Sequence, residues 1–167
     1  MSNDLGIYMT ELGADCAMSA GDLLGDNSLR TAVILSLFCH RRAEDEDVIP
    51  DGTNNKRGWW ADTVAPLTDY GLGQTATDGG TTDRIGSRLW LLSREKQLPE
   101  VLAKAQYYAA EALQWLLDDG RATDVVVTAT NPQTGWLALE IIITLPDGST
   151  YTDKYNYQSA TGFFIQN

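Results

Sequence analysis

The chain has 167 residues, enough for one domain with a proper apolar core and no need of disulfide or metal support. Its 43% hydrophobic and 21% charged residues suit a soluble globular protein, and a net charge of −11 argues against nucleic acid and anionic membrane as partners. The first residues lack a signal-peptide pattern and no apolar run reaches membrane-spanning length, so the expectation is cytoplasmic synthesis with Cys16 and Cys39 reduced.

Charge is spread unevenly. Asp4, Glu11, Asp15, Asp22 and Asp26 precede Arg30 with no basic residue among them, and nearly all Lys and Arg lie between Arg30 and Lys104. Such a dipolar surface can orient a protein in an assembly. The first segment alternates weakly, with Leu5, Ile7 and Met9 opposite Gly6, Tyr8 and Thr10, and predicts a short hairpin turning at Glu11–Asp15 and returning over Cys16–Ser19. Asp26, Asn27 and Ser28 are candidate caps for a helix with Leu29, Val33, Ile34, Leu37 and Phe38 on one stripe, expected to run to about Arg42. Cys39 then falls on its apolar face, and His40 at its C-terminus, where positive charge is favourable.

A long irregular loop is expected over about 43–82. It opens on the acidic run Glu44-Asp45-Glu46-Asp47, read as solvated, and closes on the Gly- and Thr-rich stretch from Gly71 to Thr82. Asp83 can cap a second helix burying Ile85, Leu89 and Leu92, and Pro99 suits the first turn of a third. That third helix has the cleanest period, Leu102, Ala105, Ala109, Ala112, Leu113 and Leu116, with Gly120 just beyond as a left-handed stop. The last third reads as strands: Val125–Thr130, Trp136–Leu145 and Thr150–Tyr157, separated by Asn131–Gly135 and Pro146-Asp147-Gly148-Ser149 turns. In the last strand Tyr151, Asp153, Tyr155 and Tyr157 alternate with Thr150, Thr152, Lys154 and Asn156. A short tail, 158–167, ends in Phe163-Phe164-Ile165.

Catalytic and metal chemistry finds little support. Asp51, Thr53, Asn55 and Asp62 fall at EF-hand offsets, but Lys56 stands where that loop requires Gly and no bidentate Glu closes it. Asp62 and Glu95 are the only carboxyl pair worth naming for a glycosidase, and both also suit structural pairing with nearby Arg. His40 is the single histidine, which leaves no His-rich metal site. The glycines at 73, 79 and 80 lack the Lys-Ser/Thr of a phosphate loop. Arg84, Arg88, Arg94 and Lys96 with Trp90 could grip RNA, against which the net charge argues. No cofactor is expected.

The most distinctive pattern is a split pair of motifs, Arg57-Gly58-Trp59-Trp60-Ala61-Asp62 and Asp83-Arg84-Ile85-Gly86-Ser87-Arg88-Leu89-Trp90-Leu91-Leu92, which holds three of the five tryptophans. Aromatic rings beside guanidinium groups suit a buried knot or a partner anchor. One of Trp59 and Trp60 is expected against the helix of Arg88 and Leu92, and Asp62 or Asp83 is expected to pair with Arg57, Arg84 or Arg88.

Taken with the helix Leu29-Arg30-Thr31-Ala32-Val33-Ile34-Leu35-Ser36-Leu37-Phe38, Arg41-Arg42 and Arg94-Glu95-Lys96, these motifs resemble the Mu-type contractile-phage baseplate protein family. That family is related to the sheath-initiator, or lysozyme-like, wedge protein of larger contractile phages. The resemblance covers roughly residues 4–157; the stretch 71–82 and the tail 158–167 fall outside it. It implies a non-enzymatic structural subunit of the virion tail baseplate, made in the bacterial host cytoplasm and present in six copies around the tail tube. Its implied partners are the tail sheath protein and the baseplate wedge proteins, the first sheath ring being nucleated by strand pairing. The broader family's Glu-Pro-Arg triplet has no counterpart here, where Arg94-Glu95-Lys96-Gln97 stands with Pro99 displaced.

The residues themselves agree in kind. Tyr151, Thr152, Lys154, Tyr155 and Tyr157 form a candidate edge for strand addition, with the alternative that the strand pairs internally and the tail folds back. The expected fold is α+β, a mostly antiparallel sheet with about three helices packed on one face, in a single domain over 1–157. A peptidoglycan hydrolase and an acidic adapter that binds one partner without forming rings remain as competing functions.

Overall fold

A computed structural model describes residues 4–10, 13–19, 22–23, 25–26, 29–58, 85–93, 99–133, 135–158 and 163–166. The N-terminal arm is a set of short antiparallel ladders. β1 (Asp4–Leu5) pairs with β6 (Gly25–Asp26) and encloses two hairpins, β2 (Ile7–Thr10) with β3 (Gly13–Cys16) and β4 (Met18–Ser19) with β5 (Asp22–Leu23). The return strand therefore starts at Gly13, earlier than the predicted Cys16.

Helix α1 (Arg30–Phe38) buries Val33, Ile34 and Leu37, and is shorter at both ends than its hydrophobic period implies. Its N-cap is Leu29, with no side-chain cap bond. It stops at Phe38 because the next residues are recruited elsewhere. Cys39 is extended and its carbonyl accepts the Ser87 N–H at 2.9 Å, while the Arg41 N–H donates to Ser87 O at 3.0 Å. Cys39 is thus a half-buried residue past the helix, not part of its apolar face.

The predicted second helix is replaced by a 3-10 turn, Leu89–Leu92, whose four side chains are all buried. Gly86 has φ +98° and Ser87 makes a parallel bridge to His40, both incompatible with a helix starting at Asp83. Ile85, expected inside, is half exposed. Helix α2 (Pro99–Leu113) bends at Gln114 and continues through Trp115–Asp118 as one long element. Gly120, at φ +65°, ends it: the Arg121 and Ala122 N–H groups return to Leu116 O at 2.8 and 2.9 Å. Among the described residues there are therefore two helices, one of them long and bent, and a 3-10 turn instead of about three helices, within an α+β architecture.

Three long antiparallel strands make the sheet: β7 (Asp124–Thr130), β8 (Trp136–Thr144) and β9 (Thr150–Gln158). A short fourth, β10 (Phe163–Gln166), folds back on the end of β9 and also approaches β2. Period-two alternation sends Val127, Leu139, Ile141, Ile143 and Tyr155 to the inner face, where all are buried against both helices. Phe38 at the end of α1 meets the Tyr155 ring edge-on at 5.1 Å. On the outer face Val126 and Ile142 stay partly exposed beside the cross-strand pair Glu140–Lys154, 2.9 Å apart.

Candidate functional site

Arg88 is the centre of the site and only 8% exposed. Its Nε and Nη2 donate to the two Glu111 oxygens at 3.1 and 3.0 Å, and Nη1 donates to Asp47 at 3.0 and 3.3 Å. The guanidinium lies over the Tyr108 ring at 4.7 Å. Burial alone would lower the pKa of Arg88, but the two carboxylates outweigh it and hold the group above its ordinary value. A forked donor between two acids fixes three segments at once: the 3-10 turn, α2 through Glu111, and the loop after α1 through Asp47. Arg41 adds a longer contact to Glu111 at 3.7 Å.

Around this pair the backbone is stitched by position-specific contacts. The Ser87 hydroxyl donates to Leu37 O and accepts from the Leu89 N–H at 3.3 Å. The Trp90 Nε1–H donates to Arg41 O at 2.9 Å. Gly86 cannot be replaced without displacement, since a Cβ there would stand 2.4 Å from Cys39 O. The Trp115 Nε1–H to Ser36 Oγ bond, 3.0 Å, ties the bend of α2 to α1.

On the solvent side of Trp90 the cationic side chains gather. Arg57 places its guanidinium over the Trp90 ring at 4.6 Å and its Nη1 lies 3.4 Å from His40 Nδ1. Its backbone adopts φ +52°, a left-handed conformation that non-glycine residues rarely take, braced by Asn55 Oδ1 accepting the Arg57 N–H at 3.0 Å. Arg42 Nη1 reaches Arg57 O at 3.4 Å. His40 lies past the end of α1, and its pKa is pulled below the ordinary value by desolvation and then by the Arg57 charge, the reverse of what a helix C-terminus would do.

Of the residues named from sequence, Arg57, Gly58, Gly86, Ser87, Arg88 and Trp90 belong to this one neighbourhood. Trp59, Trp60, Asp62, Asp83 and Arg84 lie outside the described residues, so the expected Trp packing and Asp pairing at those positions lie there too. The carboxylates that hold Arg88 are Asp47 and Glu111, neither of them singled out as partners. Asp47 belongs to the acidic run read as solvated, yet its side chain is nearly buried and also accepts the Glu44 N–H at 2.8 Å. No spacing rule connects residues 41 and 23 positions apart in sequence.

The predicted strand-pairing residues divide. The Tyr155 and Tyr157 backbones are already paired with Gln166 and Phe164 of β10, so at this end the strand pairs internally and the tail folds back. Along Thr150–Lys154 no described strand lies on the side of β9 away from β8. The Leu145 N–H to Ser149 O bond sets the ladder's alternation, which turns the backbone N–H and C=O of Thr150, Thr152 and Lys154 away from β8 toward that open edge. Inside, Tyr151 and Tyr155 both donate their hydroxyls to Asp153 Oδ2, at 2.8 and 2.9 Å. Burial, then Asp153, raises the Tyr151 pKa, and burial, then the neighbouring Tyr151 and Asp153, raises that of Tyr155.

Comparison with known proteins completes the site. A family model described as phage protein GP46 matches residues 29–150. The chain is 44% identical over 158 residues to the baseplate protein gp46 of Escherichia phage Mu, covering 94% of this chain and 96% of that protein. It is 45% identical over 148 residues to the Mu-like prophage FluMu protein gp46 of Haemophilus influenzae, covering 89% and 91%.

Proposed function

This chain belongs to the phage protein GP46 family, and on that premise we propose that it is a structural subunit of a contractile phage tail baseplate. The observation that carries the reading is the near full-length identity to the phage Mu baseplate protein. The geometry fits a load-transmitting part. A buried Arg clamp ties three segments together beside a packed sheet, one edge of which has no described strand along Thr150–Lys154.

In the finer version of the reading the subunit links wedge proteins to the first sheath ring, in six copies around the tail tube. The open Thr150–Lys154 edge accepts a strand from the sheath protein, because strand addition satisfies unpaired backbone groups on both chains. No enzymatic step is part of this role. The test is Thr152→Pro, which removes a backbone N–H aimed at the open edge and none from the β8 ladder. The variant is expected to fold and melt as wild type, while phage carrying it assemble baseplates without extended sheaths in electron micrographs. Normal tails from a folded Thr152→Pro protein would remove sheath nucleation at this edge from the reading.

A further inference from the structure

Arg57 is held in a backbone conformation that its side chain disfavours. It has φ +52° and Gly58 has φ +104°, two left-handed residues in succession, of which only the second is a glycine. Glycine would take the first position with less strain, yet an arginine stands there. Such strain persists only where the surroundings over-determine it, and here they do. Asn55 Oδ1 accepts the Arg57 N–H at 3.0 Å, and Arg42 Nη1 donates to Arg57 O at 3.4 Å. The outcome is a guanidinium laid over the Trp90 ring at 4.6 Å. That ring is fixed in turn, its Nε1–H donating to Arg41 O at 2.9 Å.

Arg42 and Arg57 are half-buried, and neither is ion-paired among the described residues. Three acids of this neighbourhood are engaged elsewhere. Lys56 holds Asp45, Arg88 holds Asp47, and Arg88 with Arg41 holds Glu111. His40, its pKa held down by burial and by Arg57, stands 3.4 Å from Arg57 Nη1 as a neutral ring and adds no charge. In a chain of net charge −11, two arginines in contact with no acid between them are a local exception.

We infer that Arg57, seated on Trp90 and backed by Arg42, is an anchor for a carboxylate of another protein, an Asp or Glu side chain received by the guanidinium forks. Arg and Trp are enriched among the residues that dominate interface energetics, and a fork set in place beforehand loses less freedom on binding. A chain of net charge −11 repels a polyanion as a whole, whereas a single carboxylate meets only the local cations. The inference deepens the baseplate reading, on which it rests for where the partner is sought. It concerns a surface other than the Thr150–Lys154 edge, so Thr152→Pro and the arginine variants report separately.

Two measurements test it. In the purified full chain, Arg57→Gly relieves the left-handed strain and should melt at or above the wild-type temperature, as expected of a residue kept for function against stability. Arg57→Asn, which tolerates the same backbone, should behave alike. A clear fall in melting temperature for both would make Arg57 a structural cover for Trp90 and overturn the inference. In phage, Arg42→Glu with Arg57→Glu should leave a folded protein and lower plaque titre about tenfold or more, as loss of an interface hot spot does. Selected suppressors should replace an Asp or Glu of another phage protein with Lys or Arg. Should the Glu variant not fold, Arg42→Gln with Arg57→Gln enters the same selection, the expected suppressors then being Asp or Glu to Asn or Gln. Undiminished titre from a folded variant, or suppressors confined to this chain, would overturn the inference. So would a short DNA duplex retarded by wild type and not by the Glu variant, which would assign the platform to nucleic acid. Suppressors identify the carrier of the carboxylate whether or not it is a tail protein, whereas absence of this chain from purified tails would remove only the baseplate reading.

Discussion

The layer between the sheet and α2 is fully buried and the seam around Arg88 nearly so, and the two are held by opposite means. In the first, Leu139, Ile141, Ile143, Ala109 and Leu113 meet through area alone, a non-directional attraction that tolerates exchange between side chains of similar volume. In the second, Arg88, Ser87, Gly86 and Trp90 each make contacts that depend on one atom in one place. The comparison teaches that burial alone does not set tolerance. A directional seam is brittle to single changes and forgiving only when both partners change.

The largest expected effect breaks the seam at its centre. Arg88→Ala leaves the nearly buried Asp47 carboxylate without its cation and Glu111 with only the longer Arg41 contact, and should cost about 3 kcal/mol by urea denaturation. Removing all three charges together, as Arg88→Met with Asp47→Asn and Glu111→Gln, should recover most of that loss. If the triple variant is no better than Arg88→Ala, the seam depends on shape and not on charge balance. In the apolar layer Leu139→Ala should cost about 2–5 kcal/mol through the cavity it leaves, and Leu139→Met under about 1.5 kcal/mol. Equal losses for Ala and Met would mean that this layer is as position-specific as the seam.

A glycine pair sharpens the same contrast. Gly86→Ala combines a left-handed backbone with a Cβ driven into Cys39 O and should cost about 2–4 kcal/mol. Gly52→Ala has the same sign of φ with open space around it, so only the backbone strain of about 1 kcal/mol is expected. Matching melting curves for the two would remove the close approach at Cys39 from the account. Within the sheet, Tyr155→Phe deletes one donor to the Asp153 carboxylate while keeping the ring, for a loss of about 1.5 kcal/mol.

The smallest effect concerns His40. Its folded pKa is depressed, so the unfolded chain binds the proton more readily and stability rises with pH across this group's titration. The contribution is present above the unfolded value of about 6.5 and is lost as pH falls from there toward the lower folded value. His40→Gln should flatten that part of the pH–stability curve, and an NMR titration of wild type should give a His40 pKa below 6.5. A value above it would reverse the sign.

How much of this was legible divides along the same line. The Ala105, Ala109, Ala112 and Leu113 stripe announces α2, and Gly120 marks where its continuation stops. The β-rich runs with Asn131–Gly135 and Pro146–Ser149 turns delimit β7, β8 and β9 to within a residue or so. The Arg57 and Gly86–Trp90 motifs, far apart in sequence, come together in the structure. Their partners were hidden: nothing local sets Asp47 apart from Glu44, Asp45 and Glu46, or connects it with Arg88.

Sequence alone therefore determined the elements whose periods are local, namely α2, the three long strands and the turns between them, because a repeat of 3.6 or 2 residues is written in adjacent positions. It also determined the family, through the Gly-Ser-Arg and Arg-Gly motifs and the residues around them. Only the tertiary structure decided that α1 stops at Phe38, that residues 86–88 run as a bridge beside His40 instead of a helix, and that β10 covers half of the β9 edge. Each of these depends on hydrogen bonds between residues far apart in the chain. Those bonds form only when packing has brought their donors and acceptors within about 3 Å, and they then override the local preference.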